Sequence, residues 1–395
     1  MRCRFYLLLC FTIILLSSPV HAANVTAFVS PDSGFAALKD FLAGSKDIKI
    51  ASYTFTSMDI ADLLTGKNAT IIADDSPVGG LTNESRHIFC SLKNASIYLY
   101  SGPLRFMHAK YIISGDKVLV SSENFGDSGF PASPTHGNRG WGAVVEDRNI
   151  SMALKEIFAE DLKNSKKFSC DRNYTVKREQ ITGSYRPVFA AKKYAGGASL
   201  IIAPNAIKPL ADLINSAKSR IMVEQFYIYR YFDRKTKSDN PLLEALIDAA
   251  RRGVNVSVLL DSFYYNVESE DPNSNLYTAE YANNISKSER LPMEARLIDL
   301  SGGIEKLHNK GLIIDDSVLI SSINWNENSP ARNREIGILI KGEAADYFRE
   351  VFNHDFYAEN RMTGFAAARN YIGVVLIPAI IIFLFWLRKR SIRQF

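Results

Sequence analysis

Stretches with apolar residues at three- and four-residue spacing alternate along this chain with short runs that are almost continuously apolar. The first pattern predicts amphipathic helices and the second predicts buried strands. The clearest helix is predicted over residues 240–253, where a proline stands near the start and a glycine at the end. Strands are predicted over residues 48–55, 221–228 and 254–261. Strands that alternate with helices predict an α/β fold.

The same order of elements occurs twice. The segment HAKYIISGDKVLVSSEN, residues 108–124, aligns without a gap with HNKGLIIDDSVLISSIN, residues 308–324. We therefore predict a duplicated domain, with one repeat over residues 23–184, a seam near 185–200, and a second repeat over 200–360. Each repeat is expected to hold a mixed β-sheet flanked by helices. Packed as a pseudo-twofold pair, the two repeats would face one cleft with equivalent loops, so we expect them to share one active site.

Both ends of the chain carry hydrophobic stretches that are set apart from the fold. Residues 1–22 combine two arginines, an apolar run and small residues at positions 20 and 22, which predicts a cleaved signal peptide; an uncleaved anchor is the alternative. Residues 371–387 are uncharged and reach about 26 Å as a helix, close to a bilayer core of about 30 Å, so we predict a transmembrane helix. Residues 388–395 form a basic tail that is expected in the cytoplasm. These segments predict a single-pass protein of the cell membrane with its body outside the cytoplasm.

Composition and charge are those of a globular body. Hydrophobic residues make up 47% of the chain and charged residues 23%, which excludes a disordered protein. The net charge of +5 comes from the two ends, because residues 1–22 hold two bases and residues 370–395 hold four, with no acid in either. That leaves 47 − 6 = 41 bases against 42 acids in residues 23–369. The body therefore lacks the overall basic excess that is typical of nucleic-acid-binding proteins.

Cysteines and glycosylation tripeptides agree with an external body. Cys90 and Cys170 are the cysteines that remain outside the leader, and we expect a disulfide between them. Eight Asn-X-Ser/Thr tripeptides occur in the body, and we expect only some of them to carry glycans, because Asn255 falls in a strand that is predicted to be buried. The eight acceptors are Asn24, Asn68, Asn83, Asn94, Asn149, Asn173, Asn255 and Asn284.

The duplicated segment offers the same polar side chains in each half. His108 and Lys110 are two residues apart and project from the same face of a strand. A tight turn at Gly115 then leads into a returning strand, which is expected to bring Ser122 and Asn124 back beside them. The second half repeats the pattern around a turn at residues 315 and 316. Its four corresponding residues are His308, Lys310, Ser322 and Asn324.

This set of side chains suits an anionic phosphoryl group. Ammonium, amide and hydroxyl groups stabilise charge on the non-bridging oxygens. One histidine can attack phosphorus to form a covalent intermediate while the other protonates the leaving oxygen, and that second histidine then activates water or an alcohol. Because the lysines supply the positive charge, we expect no metal and no other cofactor. The body contains no cluster of cysteine, histidine and aspartate with the spacing of metal ligands.

Residues 308–337 resemble the HxKx4D signature of the phospholipase D superfamily and the residues that follow it. The likeness covers nearly all of residues 30–360. It implies two repeats that share one active site, a phosphohistidine mechanism, phosphodiester substrates and no metal. Besides the histidines and lysines, the resemblance assigns a phosphate-binding or orienting role to eight residues. They are Ser122, Asn124, Asn138, Asp315, Ser322, Asn324, Asn333 and Glu335.

The first half departs from this signature at two positions. Gly115 stands where the second half has Asp315, and Gly140 stands where the second half has Glu335. A five-residue insertion that contains His136 also separates Asn124 from Asn138 in the first half. We therefore expect the first half to lack a carboxylate that orients an imidazole.

Four functions fit these observations. The leading one is a membrane-tethered phosphodiesterase of phospholipase D type, a glycoprotein hydrolase of lipid metabolism, because the tether keeps the body near phospholipid head groups. The alternatives are a surface nuclease, a phosphatidyl transferase that resembles cardiolipin synthases, and a catalytically impaired binding protein. The oligomeric state does not follow from the sequence.

Overall fold

The computed structural model describes residues 23–178 and 181–358. The predicted signal peptide, transmembrane helix and basic tail lie outside these ranges. Across the two described ranges, no helix combines the length and the hydrophobicity that a membrane crossing requires.

The first half alternates strands and helices in the order that the apolar pattern predicts. Its elements are β1 (Ala23–Ser30), α1 (Gly34–Ala43), β2 (Asp47–Ser52), α2 (Met58–Leu63), β3 (Asn68–Asp74), α3 (Asn83–Ser91), β4 (Ala95–Tyr100), β5 (Tyr111–Ser114), β6 (Lys117–Ser121), β7 (Gly140–Glu146), α4 (Arg148–Lys163) and β8 (Ser165–Lys167).

The second half repeats this order, with a short extra hairpin after its second strand. Its elements are β9 (Lys192–Ala203), α5 (Ile207–Ser216), β10 (Arg220–Gln225), β11 (Tyr231–Asp233), β12 (Ser238–Asp239), α6 (Pro241–Arg251), β13 (Asn255–Leu260), α7 (Asn275–Glu289), β14 (Met293–Leu297), β15 (Lys310–Ile314), β16 (Ser317–Ser321), α8 (Asn328–Arg332), β17 (Glu335–Lys341) and α9 (Ala344–Phe356). It begins at Lys192, before the predicted start at residue 200.

Local sequence accounts for the boundaries of the clearest helix. The Asn240 side chain accepts a hydrogen bond of 3.0 Å from the Leu242 amide and so caps the start of α6, with Pro241 in the first turn. Gly253 follows the helix with a φ of +88°, a left-handed conformation that favours glycine. The strands predicted at 48–55 and 221–228 are shorter in the structure: β2 ends at Ser52 and β10 ends at Gln225.

The two halves share one mixed sheet of fifteen strands, in the order β14-β13-β10-β15-β16-β17-β9-β1-β7-β6-β5-β2-β3-β4-β8. Strands β10, β13 and β14 run parallel to one another, as do β2, β3 and β4. The strands nearer the middle and the edge strand β8 pair antiparallel with their neighbours. At the centre, β1 pairs antiparallel with β9, from Ala23 opposite Gly196 to Ala27 opposite Lys192. The predicted α/β fold with a mixed sheet is confirmed, and the two half-sheets form a single sheet.

Three hydrophobic clusters form the core, and one of them joins the two halves. One cluster packs α1, α2 and α3 against one face of the first half-sheet, and another packs α5, α6 and α7 against the second. The third cluster contains buried residues of α4 and α9 together with strands from both halves, among them Trp141 and Phe348, whose ring centroids are 5.0 Å apart. Because this central core is shared, the relative position of the two halves is fixed by packing as well as by the sheet. A disulfide joins Cys90 in α3 to Cys170, which follows β8.

Candidate active site

The loops that precede the two histidines pair with the opposite half of the molecule. The His108 amide donates to the carbonyl of Arg334 at 2.9 Å, and the His308 amide donates to the carbonyl of Arg139 at 2.9 Å. Bridges between Met107 and Arg334, and between Leu307 and Arg139, continue this pairing. Each histidine therefore lies beside the residue that immediately precedes β17 or β7 of the opposite half, at the junction of the two repeats.

Buried ion pairs hold the same junction. Arg139 of the first half pairs with Asp355 in α9 of the second at 2.7 Å, and Arg334 of the second half pairs with Asp161 in α4 of the first at 2.9 Å. Arg139 also contacts Asp32 at 2.6 Å. Burial acts to lower the pKa of Arg139, but Asp355 and Asp32 outweigh it and raise that pKa well above its usual value. The site is built on paired charges that cross between the halves.

Each imidazole contacts a buried carboxylate of the opposite half. Nδ1 of His108 lies 2.8 Å from Oε2 of Glu335, and Nδ1 of His308 lies 3.2 Å from Oε2 of Glu123. An Nδ1–H that donates to a carboxylate leaves Nε2 as the free basic nitrogen of a neutral imidazole. The structure therefore brings both predicted histidines into the same kind of contact.

The two predicted lysines lie beside the histidines and are almost completely buried. Nζ of Lys110 donates to the His108 carbonyl at 2.5 Å, and Nζ of Lys310 donates to the His308 carbonyl. Lys110 Nζ is also 3.2 Å from His108 Nδ1, but that nitrogen cannot both accept from Lys110 and donate to Glu335. We therefore place the proton on Nδ1 of His108, where it is donated to Glu335, because a carboxylate is a strong acceptor and this distance is the shorter of the two.

Burial and like charge set the protonation of the four basic groups. Burial lowers the pKa of Lys110 to about 8 and holds the pKa of Lys310 well below its usual value. Burial also lowers the pKa of His108, although Glu335 acts to raise it. The pKa of His308 is well below its usual value because of burial and the positive charges of Lys310 and Lys110. Both imidazoles are therefore neutral near pH 7.

The two carboxylates differ in how they are held. Glu335 accepts hydrogen bonds from Ser329 at 2.5 Å and Asn333 at 2.9 Å. Burial acts to raise its pKa, but His108 and Lys110 outweigh this effect and lower it. Glu123 accepts one hydrogen bond of 3.1 Å from Asn138, and burial raises its pKa to about 7 although Lys310 opposes the shift. Asn138 and Asn333, both predicted for the site, thus contact the carboxylates.

The predicted serines and asparagines of the returning strands lie in the same region. The hydroxyl of Ser122 accepts from the Trp141 amide at 3.0 Å, and the hydroxyl of Ser322 accepts from the Ile336 amide at 3.1 Å. These hydroxyls fasten the ends of β6 and β16 to β7 and β17. The buried side-chain oxygens of Asn124 and Asn324 have no hydrogen-bond partner within residues 23–178 and 181–358.

Asp315 is not brought to the histidines, which corrects the role that the sequence resemblance assigned to it. It ends β15, five residues beyond Lys310 and about 16 Å along the strand. Its carboxylate accepts from the amides of Lys218, Ser219 and Arg220 at 2.9–3.0 Å. These bonds and that of the Ser219 hydroxyl outweigh burial and lower the pKa of Asp315 to about 2. Its φ of +50° shows that it forms the hairpin turn, where the first half has Gly115 at +59°.

Sequence reasoning missed three carboxylates of this region. Glu123 contacts His308 as described. The sequence feature that could have revealed it is a charged residue in the first repeat at the position where the second repeat has Ile323. Asp74 and Asp261 end equivalent strands and accept from the amides that precede the histidines, those of Met107 at 2.5 Å and Leu307 at 2.7 Å. Burial raises the pKa of Asp261 and raises that of Asp74 to about 6. Their signal was an aspartate at the end of the same strand in both repeats.

Aromatic rings flank each histidine. The ring centroid of Tyr53 lies 4.5 Å from that of His108, and the ring centroid of Phe226 lies 4.8 Å from that of His308. The ring centroid of Tyr265 lies 6.2 Å from that of Phe226. The neighbouring Tyr264 has 72% of its surface exposed. This arrangement gives the site apolar walls and one exposed aromatic edge.

The side chains at the junction of the two halves suit phosphoryl chemistry. In residues 23–178 and 181–358, no group of three or more histidine, cysteine, aspartate or glutamate side chains is arranged to hold a metal ion. The junction of the two halves presents two neutral imidazoles with their Nδ1 atoms engaged, together with two buried ammonium groups. Such a set can supply a nucleophile, a proton carrier and positive charge for an oxyanion.

Comparison with known proteins agrees with this geometry. Residues 210–356 match the family described as "Cardiolipin synthase, PLD-like domain". No curated protein sequence matches the chain significantly. Phosphatidylserine synthase from Haemophilus influenzae Rd KW20 has a similar structure, with a TM-score of 0.58 and 10% identity over 84% of this chain and 86% of that one. Polyphosphate kinase from Porphyromonas gingivalis gives a TM-score of 0.51 and 12% identity over 85% of this chain and 50% of that one.

Both solved structures share the overall fold at low sequence identity, and the family match covers the second repeat together with His308 and Lys310. Residues 210–356 therefore contain a phospholipase D-like domain, and the chain shares the overall fold of these two solved structures.

Proposed function

We propose that this protein is a membrane-tethered, extracytoplasmic phosphodiesterase of phospholipase D type that works through a phosphohistidine intermediate and without a metal. The observation that carries the proposal is the pair of histidines, each with Nδ1 against a buried carboxylate of the opposite half and each beside a buried lysine. Neither half has this arrangement alone, so the two repeats together form one site.

The first step transfers the phosphoryl group to the protein. Nε2 of one imidazole attacks phosphorus, and the bond from phosphorus to the leaving oxygen breaks. The other imidazole, protonated at that stage, gives its Nε2 proton to the leaving oxygen, which departs as an alcohol. The carboxylate at Nδ1 of the attacking imidazole stabilises the positive charge that develops on that ring. The products are a phosphohistidine and one neutral imidazole.

The second step regenerates the enzyme. The neutral imidazole takes a proton from water, and the water oxygen attacks phosphorus while the phosphorus–nitrogen bond breaks. Lys110 and Lys310 neutralise the non-bridging oxygens in both steps, and burial makes their contribution larger than it would be in water. An anionic substrate favours the charged forms of these lysines and of the proton-donating imidazole.

A phosphatidyl transferase is the second candidate. In this case an alcohol replaces water in the second step, and the chemistry is otherwise the same. The observation that favours it is the family match, described for cardiolipin synthase, and the similar fold of a phosphatidylserine synthase.

A surface nuclease is the third candidate, and the exposed aromatic edge favours it. Tyr264 and Tyr265 expose 72% and 39% of their surface, and Nζ of Lys306 lies 5.0 Å from the ring centroid of Phe263 beside them. Exposed rings next to a cation suit the stacking of unpaired bases. The binding-protein alternative rested on the glycines at positions 115 and 140. The contact between Glu123 and His308 counts against the second of these reasons, because a carboxylate still lies beside that imidazole.

Two features of the body support a position outside the cytoplasm. The disulfide between Cys90 and Cys170 suits an oxidising compartment. All eight acceptor asparagines are exposed, including Asn255, which stands at the exposed first position of β13 and not in its buried part. Every acceptor is therefore accessible to a glycan.

The deciding experiment uses the full chain in detergent micelles with EDTA. A phospholipid with a fluorescent head group and a labelled single-stranded oligonucleotide are assayed separately, and the His308→Ala protein is the blank. Release of the head group supports the phosphodiesterase, and transfer of the lipid phosphate to added glycerol supports the transferase. Cleavage of the oligonucleotide alone supports the nuclease. Failure of folded protein to act on either substrate, or turnover that EDTA abolishes, contradicts the proposal.

A further inference from the structure

We propose that Glu123 is the positioning residue of His308, and that it replaces in the first repeat the carboxylate that Glu335 supplies in the second. This inference rests on the proposed two-histidine reaction and names a residue that the superfamily signature does not contain. The structure assigns the role through an exchange of two positions. The first repeat has Glu123 and Gly140, and the aligned positions of the second repeat are Ile323 and Glu335.

The exchange is visible in the space that the side chains occupy. A Cβ atom added to Gly140 would lie 2.6 Å from Cγ of Glu123 and still closer to its Oε1. No real side chain fits at that distance, so Glu123 fills the volume that a residue-140 side chain would otherwise take. The glycine at position 140 is therefore required by Glu123, and it does not mark a lost function.

Glu123 also contacts the same kinds of partner as Glu335. Each carboxylate lies against Nδ1 of a histidine from the opposite half, at 3.2 Å for Glu123 and 2.8 Å for Glu335. Each also accepts from the side-chain amide of an asparagine two residues before β7 or β17, Asn138 in one half and Asn333 in the other. The backbone position of Glu123 is not equivalent to that of Glu335, but its carboxylate reaches an equivalent place beside the imidazole of the opposite half.

The relocated carboxylate performs two tasks. It accepts a hydrogen bond from Nδ1–H of His308 and so leaves Nε2 free to face the substrate. It also balances part of the positive charge of Lys310 and Lys110. Because it has fewer donors than Glu335 and burial raises its pKa to about 7, its charge changes near neutral pH. The two histidines are therefore supported unequally.

The test is to relocate the carboxylate a second time. Four variants of the full chain are compared: Glu123→Gln, Glu123→Ile, Gly140→Glu, and the double variant Glu123→Ile/Gly140→Glu, which copies the arrangement of the second repeat. We expect each single change at Glu123 to lower kcat/KM at least about tenfold, as loss of a group that orients a reactive side chain usually does. We expect Gly140→Glu to be destabilised by the clash, and the double variant to regain most of the activity lost in Glu123→Ile.

A readout that does not need turnover separates this inference from the proposed function. Nitrogen-15 NMR of labelled histidines reports the tautomer and pKa of His308, identified by comparison with His308→Gln. In Glu123→Ile, which offers no acceptor to Nδ1–H, we expect the His308 signal to lose its preference for the Nδ1–H tautomer, and the double variant to restore it. The pH profile of kcat/KM is expected to lose an inflection near pH 7 in Glu123→Gln.

The outcomes are distinct. Glu123→Gln with wild-type kcat/KM and pH profile overturns the inference, and so does folded Glu123→Ile with the wild-type His308 tautomer. A folded double variant that is no more active than Glu123→Ile, and that does not restore the tautomer, also overturns it. Absence of turnover in the wild-type protein overturns the proposed function instead, and the NMR comparison then still decides whether Glu123 positions His308.

Discussion

His108 and Glu335 are 227 positions apart in the chain, yet Nδ1 of the imidazole lies 2.8 Å from Oε2 of the carboxylate. The reciprocal contact joins His308 to Glu123 across 185 positions. Each half therefore supplies the histidine of one pair and the carboxylate of the other. This exchange explains why the chain contains the same polar residues twice, because neither copy forms a complete site alone.

Loss of either histidine is expected to abolish turnover. His108→Ala or His308→Ala removes the nucleophile or the proton carrier, so kcat should fall by about a thousandfold or more in steady-state assays. His87→Ala is the matched control, because His87 contacts the carbonyl of Tyr174 in another part of the first half and should leave kcat unchanged. A single histidine variant that keeps most of its activity would contradict the two-histidine mechanism.

The pH dependence of kcat/KM follows from the buried basic groups of the free enzyme. The pKa of Lys110 is about 8, so kcat/KM should fall as the pH rises through that value and the ammonium loses its charge. A bound phosphodiester stabilises the ammonium, so the corresponding limb of kcat should lie at higher pH. Circular dichroism over the same range controls for unfolding. A limb of kcat at the same or a lower pH than that of kcat/KM would oppose a phosphate-binding role for Lys110.

Asp315 is predicted to stabilise the fold without taking part in the reaction. Asp315→Ala should lower the free energy of unfolding by about 1–3 kcal/mol, because three backbone amides lose their acceptor and alanine must adopt a left-handed conformation. Asp315→Asn is the milder control, since asparagine tolerates that conformation. Urea unfolding and kcat/KM measure the two effects, and a loss of kcat/KM of more than about tenfold in folded Asp315→Asn would contradict the structural role.

The stabilisation by Asp315 also has a defined pH dependence. Its pKa in the folded protein is about 2, below the ordinary value of 3.8, so its contribution is present above the unfolded pKa. It is lost as the pH falls through the range between the two values. The difference in stability between wild-type and Asp315→Asn protein should therefore shrink in acid.

The disulfide is expected to contribute substantially to stability. Cys90 and Cys170 are 80 positions apart, and closing a loop of that length is worth about 4 kcal/mol in the chain-entropy estimate. The double variant Cys90→Ser/Cys170→Ser should have a lower Tm by calorimetry. Dithiothreitol should lower the Tm of the wild-type protein to a similar value and leave the double variant unchanged. An equal effect of the reductant on both proteins would show that it acts elsewhere.

Sequence alone determined the repeat, the α/β class and the paired histidines and lysines, because each rests on local information. Apolar periodicity indicates whether a segment is a helix or a strand, and the gap-free match of residues 108–124 with 308–324 needs no structure to be seen. The same local information predicted the hairpin turns at positions 115 and 315.

Tertiary structure decided which groups meet. The pairing of β1 with β9, the crossing contacts of Arg139 and Arg334, and the exchange of carboxylates between halves all join residues that are far apart in the chain. Because sequence comparison aligns backbone positions, the glycine at position 140, opposite Glu335, indicated that the first half lacks a carboxylate. The chemistry depends on where a carboxylate oxygen lies in space. Glu123 places its carboxylate beside His308 from a backbone position different from that of Glu335. Asp315, which the signature includes, lies in the turn of its hairpin and contacts the amide of Ser219 there.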